Sequence, residues 1–216
     1  MIHAVIPVKP LGSAKSRLAH LLSPGERRDL ALAMLADVLA AVRAAPAVAQ
    51  VSVVSRDPAA IALAAEHGAS ALFDHTNDLN AALSGAAAQV AAAGGPALLV
   101  LPSDLPLVSA DDIGQLVDAL GDPPSAVIAP SPDGGTNALL VAPPGALPFH
   151  FGPDSLARHM AAAQNSGLAI RLVRTPGLDL DVDRPDDLLR LSASQVGGAA
   201  LRVVRALNLE TRVACA

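Results

Sequence analysis

Short apolar runs alternate with helix-start signals along almost the whole chain, and this alternation constrains the fold more than any other feature. Most of the runs are continuous rather than alternating in polarity, as expected for strands that are covered by helices on both faces. The runs span residues 3–9, 50–55, 70–74, 97–102, 125–131, 136–143 and 169–175. An order of strand, helix, strand, helix predicts an α/β domain of three layers with a mainly parallel sheet.

One connection between two runs is too short to hold a crossover helix. Only a few residues of the stretch SPDGGT separate the run 125–131 from the run 136–143. Parallel strands need a connection of about a dozen residues or more, so we expect this pair to form an antiparallel hairpin. The sheet is therefore predicted to be mixed, which argues against a simple dinucleotide-binding fold.

Two helix starts and the tail complete the predicted organisation. The stretch 23-SPGE-26 is a capping box with proline at the first helical position, and it opens a long helix to about Ala45. The stretch 109-SADD-112 starts another helix. We expect one domain over residues 1–194 and one further helix in the tail 195–216. The apolar residues of this tail could cover the protein's own core or the second copy of a homodimer.

The composition excludes several classes of protein. With 52% hydrophobic and 16% charged residues the chain is not disordered, and its apolar runs are far shorter than the ~20 residues that span a bilayer. A first strand without a basic and apolar leader, and a lone cysteine at Cys215, favour a cytoplasmic protein without a disulfide framework. The net charge of −5 and the lack of Trp and Tyr argue against nucleic-acid binding. An anionic ligand must therefore be bound by local cations, backbone amides or a metal ion.

A basic loop follows the first predicted strand. It reads 9-KPLGSAKSRL-18 and carries Lys9, Lys15 and Arg17 among small residues. Ligands of open α/β sheets bind outside the carboxyl ends of the strands, and such a loop can wrap a polyphosphate with its amides and cations. It lacks the Gly-Lys-Ser/Thr ending of a Walker loop. The alternative is a solvated basic turn.

Acidic residues occur at two further positions near this edge. Asp104 follows the fourth predicted strand and stands between two prolines, and the stretch 178-LDLDVDRPDDL-188 carries Asp179, Asp181 and Asp183 at a spacing of two. In an extended segment these three carboxylates share one face, and hard oxygen ligands without nearby Cys or His suit Mg²⁺ or Mn²⁺. The alternative makes Asp183 only the N-cap of a helix that starts at residues 184–185.

Two glycine-containing stretches suit a small anion. The turn 133-DGGTNALL-140 offers Gly134 and Gly135 beside the Thr136 hydroxyl, and 149-FHFGPDSLARHM-160 places Gly152 before a helix that starts at residue 154 or 155. The alternative for each is ordinary turn and capping chemistry.

The chain shows no nucleophile with a base to activate it, because Ser103 beside Asp104 has no histidine placed for that role. A phosphate that attacks another phosphate is already an anion and needs no base, only cations that overcome the repulsion. These features favour nucleotidyl transfer from a nucleoside triphosphate to a phosphorylated metabolite.

Five stretches of the chain resemble, in the same order, motifs of the 2-phospho-L-lactate / phosphoenolpyruvate guanylyltransferase family, which acts in the synthesis of coenzyme F-420. They are IPVKPLGSAKSRL, LPSDLPL, DGGTNALL, FGPDSLARH and DLDVDRPDDL, and they extend to about Leu188. The resemblance implies a nucleotidyltransferase fold of the nucleotide-diphospho-sugar transferase type and a divalent metal ion. It also implies that the phosphate of a three-carbon acid attacks the α-phosphorus of GTP and releases diphosphate. The tail from about Gln195 has no counterpart in these motifs.

The resemblance also implies a role for each site residue. The expected catalytic residues are Asp104, Lys15 and Asp183. The expected ligands of Mg²⁺ or Mn²⁺ are Asp104 and Asp183, with Asp181 as an alternative ligand. The acceptor is expected at Thr136, Gly135, Gly152 and Ser155, and the GTP at Lys9, Lys15, Arg17, Ser103 and Asn80. The family often has Gly-Leu-Asn where this chain has 78-DLN-80, and Thr where it has Arg184.

Three other functions stay open from the sequence. A member of the same family could use 3-phosphoglycerate as the acceptor, since it also offers a phosphate and a carboxylate. A related enzyme could use CTP or a molybdopterin acceptor, although the first loop lacks the glycine-rich start of those enzymes. A regulator could bind GTP without releasing diphosphate.

Overall fold

The computed structural model describes residues 1–73 and 76–209, and in these seven strands alternate with seven α-helices. The strands are β1 Ile2–Pro7, β2 Val48–Ser55, β3 Ser70–Phe73, β4 Leu98–Val100, β5 Ser125–Pro130, β6 Thr136–Ala142 and β7 Ala169–Leu172. The helices are α1 Pro24–Ala44, α2 Pro58–Glu66, α3 Leu79–Ala92, α4 Ala110–Asp118, α5 Ser155–Asn165, α6 Pro185–Ala193 and α7 Ala199–Ala206. Residue 74 of the predicted third strand, the tail beyond residue 209 and with it Cys215 lie outside the described residues.

The strands form a single mixed sheet in the order β3-β2-β1-β4-β6-β5-β7. Strand β6 runs antiparallel to both of its neighbours, β4 and β5, and the other pairs are parallel. The predicted hairpin and the predicted mixed sheet are therefore confirmed. Strand β4 ends earlier than predicted, and Pro102 just beyond it has no N–H with which to extend a ladder.

Helices cover both faces of the sheet. Successive residues of β4 point to opposite faces, so Leu99 joins one apolar cluster while Leu98 and Val100 join the other. Buried residues of α1, α2, α4, α6 and α7 belong to the first cluster, and those of α3 and α5 belong to the second. This is the predicted three-layer architecture, and it explains why the strands read as continuous apolar runs.

The helix starts follow the predicted capping chemistry with one exception. Ser23 and Ser109 cap α1 and α4 as expected, each with an acid three residues later that accepts a hydrogen bond from the backbone N–H of the cap. The exception is α6, whose N-cap is Arg184. The carboxylate of Asp187 accepts hydrogen bonds from the N–H groups of Asp183 and Arg184. The interpretation of Asp183 as the N-cap is thus wrong by one residue. The Asp183 side chain does not cap the helix and instead pairs with Lys15.

Helix α7 packs on α1 and covers the protein's own core. Leu201 and Val204 are buried, and burial of such a side chain contributes about 1.5–3 kcal/mol relative to exposure. The carboxylate of Asp37, on α1, accepts hydrogen bonds from the N–H groups of Ala199 and Ala200 at 2.6 and 2.8 Å. Burial raises the pKa of Asp37 despite these hydrogen bonds. In residues 1–73 and 76–209 no helix combines the length and apolar character needed to cross a membrane.

Candidate active site

A cavity of about 890 Å³ lies where the carboxyl ends of β1 and β4 meet the turn that opens β6. Its lining includes residues from five chain segments that are far apart in sequence and carry polar groups. They are 7–17, 102–104, 131–137, 151–155 and the acidic residues Asp181 and Asp183. With the exception of Asn80, every residue to which the resemblance assigned a role lines this cavity: Lys9, Lys15, Arg17, Ser103, Asp104, Gly135, Thr136, Gly152, Ser155, Asp181 and Asp183.

The ammonium group of Lys15 joins the two carboxylates that were predicted to converge. Its Nζ atom lies 2.8 Å from Oδ2 of Asp104 and 2.8 Å from Oδ1 of Asp183. Arg17 adds a longer ion pair, with its Nη1 atom 3.6 Å from Oδ2 of Asp183. The Lys15 side chain is only 8% exposed, so the pairing is screened little by solvent. Asp104 and Asp183 therefore share one internal cation.

Local backbone geometry produces this arrangement. Lys15 lies between two short 3-10 turns, Leu11–Ser13 and Ser16–Leu18, and has φ 52° and ψ 42°. This left-handed conformation costs a residue with a β-carbon about 1–2 kcal/mol. On the other side, the N–H of Val182 donates to the carbonyl oxygen of Asp104 at 3.0 Å and ties the two acidic segments together. The loop after β1 accepts strain and thereby places the ammonium group between both segments.

The charges of this cluster shift the pKa values of its members. Burial by itself lowers the pKa of Lys15, but Asp104 and Asp183 outweigh burial and raise it. Burial raises the pKa of Asp183, but Lys15 and more weakly Arg17 outweigh burial, and the pKa is lowered. Lys15 is therefore charged and Asp183 ionised at neutral pH.

Asp181 has the opposite environment. Its pKa is raised first by burial and then by the negative charges of Asp104, Asp133 and Asp183. Among the described residues, Asp181 thus faces other acids without an ion pair of its own, the situation in which a bound cation lowers the repulsion.

Asp179 does not share the face of Asp181 and Asp183. The chain makes a 3-10 turn at Pro176–Leu178, and Asp179 itself has helical backbone angles, so the extended segment begins after it. The side chain of Asp179 pairs with Arg174 at 4.0 Å and is absent from the lining of the cavity. The prediction that all three carboxylates point the same way is wrong for Asp179.

The donor set fits a divalent cation in chemistry, although Lys15 takes the central position. Asp104, Asp181 and Asp183 offer the oxygen ligands that Mg²⁺ and Mn²⁺ prefer, and one ammonium group only partly neutralises three carboxylates. Within residues 1–73 and 76–209, no group of three or more His, Cys, Asp or Glu side chains is arranged as a ready-made metal site. A cation that binds Asp104 and Asp183 together must therefore displace Lys15 Nζ or bind beside it.

A second, uncharged cluster also contributes to the lining of the cavity. The Ser155 Oγ atom lies 3.2 Å from Thr136 Oγ1, and Nδ1 of His159 lies 3.1 Å from the same Thr136 oxygen. Helix α5 begins at Ser155, as predicted, directly after Asp154 in a left-handed conformation. Gly152 has φ +123°, which favours glycine. The hydroxyl groups therefore lie at the N-terminus of a helix that is preceded by a glycine with positive φ, an arrangement that suits an anionic ligand.

The turn between β5 and β6 is held rigidly beside these hydroxyls. The N–H of Gly135 donates to Ser131 Oγ at 2.8 Å, and the hydroxyl of Ser131 donates to the Asp133 carboxylate. The N–H of Leu156 donates to the carbonyl of Gly134 at 3.2 Å, which fixes the first turn of α5 against the hairpin.

Asn80 has a different set of partners from those expected. Its Nδ2 donates to the carbonyl of Phe151 at 3.1 Å, and its Oδ1 accepts from the N–H of Phe151 at 2.7 Å. Both ends of the amide are thus used to hold the loop that carries Gly152. The nucleotide-binding role of Asn80 stays a prediction, and its amide is engaged with the Phe151 backbone.

The sequence analysis missed His159, which is fully buried next to Thr136. One signal could have revealed it: His159 follows Ser155 by four residues, and residues at that spacing lie on the same face of a helix.

The chain is similar in sequence to known proteins. A family model described as "Guanylyl transferase CofC like" matches residues 2–213. A protein of Roseiflexus sp. (strain RS-1) named phosphoenolpyruvate guanylyltransferase is 46% identical over 205 residues, which cover 95% of this chain and 91% of that protein. The family match continues into the tail, so the residues from about Gln195, for which the five motifs offered no counterpart, do have one in the family.

Two solved structures show the same fold. A nucleotidyl transferase from Methanothermobacter thermautotroptrophicus superimposes with a TM-score of 0.65 at 21% identity, covering 88% of this chain and 95% of that one. A Mycobacterium tuberculosis protein in complex with manganese gives a TM-score of 0.56 at 19% identity, covering 89% and 98%. At these identities the likeness shows the fold alone, and it confirms the predicted nucleotidyltransferase architecture.

Proposed function

We propose that this chain, which belongs to the guanylyl transferase CofC-like family, transfers GMP from GTP to the phosphate of phosphoenolpyruvate and releases diphosphate. One observation carries the proposal: the cluster of Asp104, Lys15 and Asp183 and the hydroxyls of Thr136 and Ser155 line one and the same cavity. The first cluster suits a triphosphate with its cation, and the second suits a small acidic acceptor. We infer that the product serves the assembly of coenzyme F-420.

The donor end of the cavity neutralises charge. Lys9, Lys15 and Arg17 would contact the phosphates of GTP and offset the negative charge that builds on the departing diphosphate. Asp104 and Asp183, with Asp181, would hold Mg²⁺ or Mn²⁺, which supplies Lewis-acid stabilisation of the phosphates. Manganese in a solved structure of the same fold is consistent with this choice of metal.

The acceptor end orients the attacking group. The hydroxyls of Thr136 and Ser155 and the backbone near Gly135 and Gly152 would bind the acceptor so that a phosphate oxygen lies in line with the α-phosphorus. That oxygen forms the new bond to the α-phosphorus as the bond to the β-phosphate oxygen breaks. No base is required, because the attacking phosphate is already ionised.

The choice of acceptor and nucleotide is tested by measuring diphosphate release with several pairs. We expect release with GTP and phosphoenolpyruvate in the presence of Mg²⁺, and little with ATP, CTP or UTP. If the enzyme prefers 2-phospho-L-lactate or 3-phosphoglycerate, the proposed acceptor changes but the proposed reaction stays the same. Release with CTP alone would contradict the proposal, and GTP binding without release would favour a regulator.

Ser155→Ala is expected to raise the KM for phosphoenolpyruvate about tenfold, the effect of one lost hydrogen bond, with little change in the KM for GTP. Steady-state diphosphate release at varied concentrations of each substrate measures both constants. Ser166→Ala is the matched control, because Ser166 is an exposed serine at the other end of α5. An effect of Ser155→Ala on GTP alone would refute this placement of the acceptor.

A further inference from the structure

His159 is buried at the acceptor wall, and its two ring nitrogens have different partners. Its Nε2 atom lies 2.9 Å from the backbone nitrogen of His150, and its Nδ1 atom lies 3.1 Å from Thr136 Oγ1. A backbone N–H can only donate, so Nε2 must accept and carries no proton. The neutral ring then bears its proton on Nδ1 and donates it to Thr136. The backbone of His150 thereby selects one tautomer.

This tautomer determines what the neighbouring hydroxyls can do. Thr136 Oγ1 accepts from His159 Nδ1 and also from the hydroxyl of Ser155 at 3.2 Å, which uses both of its lone pairs. The proton of Thr136 then has no acceptor within the cluster and is available to the cavity. If the bond between the two hydroxyls runs the other way, the proton of Ser155 is released instead. In either case the pair keeps one donor for a ligand.

The opposite tautomer would remove that donor. With the proton on Nε2, the ring would place an N–H against the N–H of His150, and Nδ1 would accept the proton of Thr136. The pair would then offer its oxygen lone pairs to the cavity, which repel an anionic oxygen. Burial, followed by the neighbouring His150 and Arg158, lowers the pKa of His159 to about 4, so the ring is neutral at pH 7.

We propose that His159 is a positioning residue of the acceptor site: through its Nδ1 proton it holds the Thr136–Ser155 pair as a hydrogen-bond donor to an anionic oxygen of the acceptor. The proposal rests on the function proposed above, and it adds a residue that does not itself touch the substrate. It predicts that His159 affects the affinity for the acceptor and leaves GTP binding unchanged.

Two substitutions separate the two nitrogens. In His159→Asn the side-chain amide can reproduce the donor at the Nδ1 position, whereas in His159→Gln the amide reaches the Nε2 position and can accept from His150 but not donate to Thr136. We expect His159→Gln to raise the KM for phosphoenolpyruvate about tenfold at a nearly unchanged kcat and KM for GTP, and His159→Asn to restore most of this loss. In a Thr136→Val background His159→Gln should add no further increase. Equal effects of both substitutions, or an effect on the KM for GTP, would overturn the proposal.

A measurement on the unmodified protein decides the matter even if a variant fails to fold. Nitrogen-15 NMR of the histidine side chains, assigned through bonds, reports which ring nitrogen of His159 carries the proton. We expect a neutral ring protonated on Nδ1 at pH 7, and a proton on Nε2 or on both nitrogens would overturn the proposal. This readout does not depend on turnover. If the wild-type protein releases no diphosphate, the proposed function is contradicted. The NMR measurement would then still test whether His159 carries its proton on Nδ1.

Discussion

Asp104→Asn is expected to lower kcat for diphosphate release about a thousandfold while the fold stays intact. The amide keeps the shape of the side chain but removes one of the two charges that pair with Lys15, and it is a weaker ligand for a divalent cation. The backbone carbonyl of Asp104, which accepts from Val182, is unaffected. Diphosphate release with GTP, phosphoenolpyruvate and Mg²⁺ measures the loss, and circular dichroism during thermal unfolding checks the fold.

Asp179→Asn is the matched control for that substitution. Asp179 belongs to the same acidic stretch as Asp183 but pairs with Arg174 outside the cavity. We expect it to keep the wild-type rate within about twofold, since exposed ion pairs contribute little. If Asp104→Asn releases diphosphate at the wild-type rate, the proposed catalytic role of Asp104 is contradicted.

Lys15→Met should have the second large effect, on both activity and stability. It removes the only ammonium group that contacts Asp104 and Asp183 within the described part of the chain and leaves their charges to repel each other. We expect kcat to fall about a hundredfold or more, because the leaving diphosphate also loses a cation. We further expect the thermal midpoint at neutral pH to fall, and added Mg²⁺ to raise it more in the variant than in the wild type.

The stability difference between the wild type and Lys15→Met should depend on pH in a definite direction. Lys15 lowers the pKa of Asp183, so in the wild type the pair stabilises the fold above the ordinary carboxyl pKa of about 4 and loses this contribution as the pH falls through the lowered value. Lys15→Met has no such contribution to lose. The difference in thermal midpoint between the two proteins should therefore shrink from about pH 7 to about pH 3.

Lys9→Met is the control for Lys15→Met. Lys9 is the other lysine of the chain, lies on the same loop and lines the same cavity, but it forms no ion pair within residues 1–73 and 76–209. Its loss should change GTP affinity with little effect on the thermal midpoint. Equal losses of stability in both variants would contradict the claim that the ion pairs of Lys15 with Asp104 and Asp183 stabilise the fold.

The sequence allowed the fold to be predicted because its signals are local. The short link between the runs 125–131 and 136–143 requires a hairpin whatever the rest of the chain does, and the capping boxes at Ser23 and Ser109 involve residues three positions apart. The convergence of Asp104 and Asp183 also followed from general rules, since both segments lead to the same sheet edge.

The partner of these carboxylates could not be predicted in the same way. Lys15 is far from Asp104 and Asp183 in sequence, and its pairing with them depends on a left-handed backbone at one residue. The same holds for Asp179, where a 3-10 turn breaks the alternation that spacing alone suggests. His159 escaped notice because its role depends on which atom of its ring meets which neighbour, and only coordinates show that.

The central claim is that Asp104 and Asp183 hold a divalent cation on the phosphates of GTP, next to Lys15. The most direct measurement is a crystal structure with Mn²⁺ and a non-hydrolysable GTP analogue, using the anomalous signal of manganese to place the ion. We expect the ion in direct contact with both carboxylates, and the triphosphate along the loop of residues 9–17. Manganese bound away from both carboxylates, or a triphosphate outside that loop, would contradict the account.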